Sequence, residues 1–130
     1  LNGGMLLFFP EASAAWLSCQ LLGQEQVADL LAEPASSTLR EVGNIMASAF
    51  LASLDNQLQL RALPTPPKLS LAPLAEQLKQ LQSEQLSPCP IVCNRLSGGD
   101  TSDSLRGAIY LLPEKDSLEF LLTRVGNEKL

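Results

Sequence analysis

The stretch SSTLREVGNIMASAFLASLDNQL, Ser36 to Leu58, decides how this chain is read. At about 100° per residue, Leu39, Val42, Met46, Ala49, Phe50 and Ser53 gather on one side, the expected core face of a continuous helix from about Pro34 to Leu58. Ser37, Glu41, Asn44, Ser48 and Asp55 collect roughly opposite. Glu41 and Asn44 stand about 60° apart and one turn along, so their side chains are neighbours that can address one bound group together.

Strands and helices are interspersed on both sides of this helix. GGMLLFFP, Gly3 to Pro10, is a continuous apolar run between a glycine pair and a proline, as in a strand buried on both faces. Glu11 to Leu22 reads as a helix with Ala14, Leu17, Leu21 and Leu22 at helical spacing and Gly23 as its stop. Beyond the long helix, Gln59 to Leu63 and Lys68 to Leu71 are expected as two short strands around the stiff Pro64-Thr65-Pro66-Pro67 bend. Pro73 opens a further helix with an apolar stripe of Leu74, Leu78 and Leu81. Strands at Cys89 to Leu96 and Leu105 to Leu112 flank the hairpin loop SGGDTSDS, and a last helix runs from about Lys115 to Val125 with Gly126 as its stop. MLLFFPEASAAWLSCQLLG and AIYLLPEKDSLEFLLTRVG echo one another as strand, Pro-Glu, helix, glycine. The echo fits an internal duplication as well as it fits Pro-Glu being a good helix start.

Composition narrows the chemistry. At 130 residues the chain is expected to be one domain, residues 1–130, with a fragment or one half of a duplicated domain as the alternatives. A hydrophobic share of 45% with 18% charged residues is globular, and a net charge of −5 argues against nucleic acid or anionic membrane as the main partner. There is no histidine, which removes the usual general base near neutral pH and most zinc sites. The three cysteines are an odd number in a domain that needs no disulfide, and the apolar run Met5 to Phe9 is far short of the roughly 20 residues of a membrane span. A cytoplasmic location is expected.

A neutral amide donates and accepts hydrogen bonds but is a poor proton acceptor, so Asn44 could hold a water in line for attack. Phosphoryl transfer needs little more, because positioning and charge stabilisation carry most of its rate. A carboxylate would repel the phosphoryl group, so Glu41 better grips a cation on the partner. The pair suits hydrolysis of a phosphoryl group that arrives on another protein with its own metal. Two plainer readings stand beside this one. Thr38-Leu39-Arg40-Glu41 fits a capping box in which Glu41 turns back to the helix start, although Pro34 favours an earlier start, and an exposed Glu and Asn are ordinarily solvated surface.

As a string, Ser37-x3-Glu41-x2-Asn44-x22-Pro67 resembles the signature of the CheC-like chemotaxis phosphatase family, and REVGNIM is similar to that family's REIGNIM. The flanking strand and helix, the LRALPTPPKL segment and AIYLLPEKDSLEFLLTRVG resemble the second half of a CheC protein. The resemblance implies an α+β fold: a mixed, largely antiparallel sheet with the long motif helix and further helices packed on it, with pseudo-twofold symmetry. It implies a phosphatase for the phosphoaspartate of a CheY-type receiver domain, with Asn44 orienting water and Glu41 binding the receiver's lysine. Ser37 and Pro67 would be structural. Ser48 stands where the family often has glycine, at a turn where a partner would approach. No cofactor of its own is implied, Mg2+ belonging to the receiver. A CheD-like deamidase and a second copy, as in the single-site CheX branch, are further expected partners. The alternative is a non-catalytic binding module of the same fold, or half of a duplicated scaffold.

The remaining candidates read as structure. Cys89 and Cys93 have CxxxC spacing without further ligands, Gly98-Gly99-Asp100 lacks the lysine and helix of a phosphate loop, and Trp16 reads as a core or interface anchor.

Overall fold

The computed structural model describes residues 2–63, 65–88, 90–98 and 105–128, with side chains left aside at 92–94 and 127–128. In chain order the elements are β1 (Gly3–Phe8), α1 (Glu11–Leu22), α2 (Ala35–Leu58), α3 (Leu74–Glu84), β2 (Ile91–Gly98), β3 (Leu105–Pro113) and α4 (Lys115–Glu128). The class is α+β, and the three described strands form an antiparallel sheet in the order β1-β3-β2.

β3 is the central strand, with Ile109, Leu111 and Leu112 buried, whereas β1, expected to be buried on both faces, lies at the edge and is half-buried from Gly4 to Phe8 because only one side of it is paired among the described residues. Met5 and Ile91 both lie opposite Leu111, so these three side chains share one face of the pleat. On that face Leu111 meets Leu60 and Leu121, with Leu54 and Leu58 of α2 and Val125 of α4 packed around them. Burial of such leucines contributes about 2 kcal/mol each. Both units of the sequence echo fold as a strand leading into a helix, and their strands, β1 and β3, are neighbours. At Gly23 the backbone enters the left-handed region, φ 67°, and closes α1 as the glycine stop predicts.

Four further expectations need correction. Among the described residues, 59–63 and 65–71 contain no strand. Leu60 is drawn into the core while Pro66 and Pro67 lack the N–H groups a ladder needs, so the segment crosses as irregular chain. α4 continues through Gly126 to Glu128, because Gly126 does not adopt the left-handed conformation that would end it. The strand expected from Cys89 begins at Ile91, directly after Pro90. On α2, Ala49 and Ser53 are exposed, and the buried line instead runs through Leu39, Ala47 and Leu51 to the half-buried Leu54 and Leu58. The helix packs on α1 and also on β1 and α4, and a line that steps by four residues drifts about 40° per step.

Cys89 and Gly99 to Ser104 lie outside the described residues, as does the side chain of Cys93. Pro64 of the proline bend does too. Trp16 is half-buried on α1, and the stripe Leu74, Leu78 and Leu81 of α3 is half-buried throughout. Among the described residues, no helix is long and apolar enough to cross a membrane.

Candidate functional site

α2 begins at Ala35, its first turn served by main-chain carbonyls: the amides of Ser36 and Thr38 donate to Ala32 O and Pro34 O at 3.0 and 3.1 Å. Glu41 therefore lies in the second turn and is not a cap. Its side chain and that of Asn44 are exposed and have no hydrogen-bond or ion-pair partner among the described residues. Ser48 is exposed one turn further on. The structure thus brings Glu41, Asn44 and Ser48 onto one continuous, solvent-facing stripe.

Ser37 sits at the start of that stripe and is tied elsewhere. Its hydroxyl donates to Glu33 Oε2, while Ser36 Oγ donates to Glu33 Oε1 at 2.9 Å and Arg40 Nη2 pairs with the same oxygen at 3.1 Å. The Ser37 and Ser36 hydrogen bonds, followed by the Arg40 charge, hold the Glu33 carboxyl below its ordinary range. A carboxylate just ahead of a helix N-terminus also meets the positive end of the helix dipole. The pair is exposed, so its energetic worth is small. Its consequence is geometric: Arg40, next to Glu41, is already engaged.

Pro67 is half-buried and lies over Gly43, its Cβ and Cγ 4.0 Å from where a Gly43 side chain would begin. The bend thereby fixes the chain beside Asn44. Asn44 also borders a cleft of about 610 Å³ bounded by α2, the proline segment, α3 and β1, and Pro67 lines it too. Glu41 does not. By the helical geometry Asn44 is about 60° from Ala47 on the buried side, and Glu41 is about 120° from it.

Ile45 was missed by the sequence reading. It is 58% exposed and sits four residues from Glu41 and three from Ser48, so the polar stripe has an apolar edge. Its absence from the expected core face was the available signal.

The arrangement offers a carboxylate able to bind a cation and an amide able to orient water, side by side and open to a large partner. Residues 35–71, which include every motif residue from Ser37 to Pro67, match the model of the CheC-like family. The chain is 29% identical over 133 residues to the CheY-P phosphatase CheC of Bacillus subtilis (strain 168), across 97% of this chain and 63% of that protein. It therefore spans less than two thirds of that relative's length. No solved structure matches at a significant level.

Proposed function

Because these matches support membership of the CheC-like family, we propose that the chain is a phosphatase for the phosphoaspartate of a CheY-type receiver domain. The observation that carries this reading is the exposed pair Glu41 and Asn44, one turn apart on α2 and without side-chain partners among the described residues. Asn44 presents its amide to a water and aligns it with the phosphorus. Glu41 binds the receiver's lysine and so fixes the distance between Asn44 and the phosphoryl group. Ile45 and Ser48 supply the adjoining contact surface, and Ser37 and Pro67 hold the two ends of the motif. The acyl phosphate bond to the receiver's aspartate breaks as water attacks, releasing inorganic phosphate. The Mg2+ that offsets the developing charge is the receiver's own.

The test is loss of acyl phosphate from a phosphorylated CheY-type receiver, measured in single turnover with and without this chain. Acceleration above the receiver's own rate is expected. Saturable binding of the receiver without acceleration would replace the enzyme with a binding module of the same fold.

A further inference from the structure

The cleft beside Asn44 is also the place where the sheet is left open. In the order β1-β3-β2, the outer edge of β1 has no strand beside it among the described residues, and every residue from Asn2 to Leu7 lines the cleft. In an antiparallel pair alternate residues turn their N–H and C=O groups away from the partner, so β1 presents a row of free donors and acceptors. We propose that this edge and cleft form a groove for an uncharged, extended segment of a partner protein, which adds to the sheet as a strand alongside β1.

The walls define the occupant. α2 stands on one side of the edge, through Gly43, Asn44, Ala47 and Leu51, and α3 on the other, with the Gln85 side chain against Gly4. A strand occupies roughly 4.8 by 10 Å in section and 3.3 Å per residue, so about 610 Å³ holds roughly four residues of one chain. The charged residues lining the cleft are one of each sign, Lys68 and Glu84, in a chain whose net charge is −5. The remaining polar lining is amide and hydroxyl, including Gln77, Gln80 and Ser70, over an apolar floor of Met5, Leu7 and Leu51. Alternating apolar and neutral polar side chains match that section: one set faces the floor and the other the amides.

The proposal does not depend on the phosphatase reading, since it is tested by binding alone. Unstructured heptapeptides displayed on phage are selected on this chain, with Gln80→Trp, which narrows the cleft from the exposed side of α3, as the counter-target. Ser70→Trp, where the proline segment meets Gln77 of α3, is the second blocking variant, and thermal melts of both establish that they fold. Selected peptides are then synthesised, with and without N-methyl groups at alternate amides. The expected result is enrichment of peptides that alternate apolar with neutral polar residues. Their affinity should fall at least about tenfold in each folded blocking variant and on N-methylation. Amide exchange at alternate β1 residues should slow when peptide binds. The proposal is overturned if nothing is enriched over the blocked variant, if charged or helical peptides are selected, or if β1 amides keep their exchange rates in the complex. Protection of β1 that rises with protein concentration alone would also overturn it and assign the edge to a second copy.

Discussion

Pro67 lies over Gly43, with the ring's Cβ and Cγ 4.0 Å from where a Gly43 side chain would start. This contact holds the chain leaving α2 against the helix one residue before Asn44. It also sets what position 43 will tolerate.

Gly43→Ala should stabilise the protein. The added methyl meets Pro67 at ordinary van der Waals distance, and alanine is favoured over glycine within a helix by about 1 kcal/mol. Urea unfolding should show a higher midpoint with an unchanged slope. A lower midpoint would mean that the Pro67 contact is tighter than this spacing.

Gly107→Ala should do the reverse. A Cβ there would stand 2.7 Å from Phe8 O and 2.8 Å from the Phe9 ring. The main-chain oxygen is fixed by the pairing of Phe8 with Ala108, so β1 and β3 must part locally, at a cost of about 1–3 kcal/mol. The same urea experiment reads it, and wild-type stability would show that the two strands have slack at this point.

The extent of α2 and the exposure of Glu41 and Asn44 were legible because they follow from one period, 3.6, sustained over a long segment. The same arithmetic misplaced Ala49 and Ser53, because a helix wheel assumes one neighbour on one side. α2 instead packs on α1, β1 and α4, and its buried line drifts. The strands expected around Pro64 to Pro67 failed for a related reason: Leu60 and its neighbours have apolar alternation, but whether a short run pairs depends on a partner edge that local sequence does not encode. Pro67 over Gly43 and the cleft beside β1 were equally invisible, being contacts between segments distant in the chain.

The hydrogen bonds at Glu33 predict a pH response with a definite sign. Its folded value lies below the ordinary one, so the interaction stabilises the folded state above the ordinary carboxylate range. That contribution fades as pH falls through the folded value. A carbon NMR titration of the Glu33 carboxyl should give a depressed midpoint. Ser37→Ala should raise it more than Arg40→Gln, since the Ser37 hydrogen bond is the larger cause. Equal shifts in the two variants, or none with Ser37→Ala, would contradict the arrangement.

Ile45→Asp places a charge at the apolar edge of the stripe. The residue is 58% exposed, so the fold should change by no more than about 0.5 kcal/mol. Receiver binding should weaken by about tenfold if this edge is part of the contact, with fluorescence anisotropy as the measure. Unchanged affinity would place the partner elsewhere on α2.

Glu41 and Asn44 should lose different things when removed. An amide that orients water acts mainly in the transition state, so Asn44→Ala should lower turnover with little change in receiver affinity. A carboxylate that grips the receiver's lysine acts in the ground state too, so Glu41→Ala should weaken docking as well as rate. Loss of one positioning group from a phosphoryl-transfer site is expected to cost on the order of a hundredfold, about 2.7 kcal/mol. Both side chains are exposed and without partners among the described residues, so neither change should shift the melting temperature appreciably. Dephosphorylation of a phospho-receiver by wild type and both variants, at several receiver concentrations and with melts run in parallel, separates the two roles. Full activity in Asn44→Ala, toward a receiver that wild type dephosphorylates, would remove the water-positioning role. Activity lost in step with melting would make the stripe a structural element of α2.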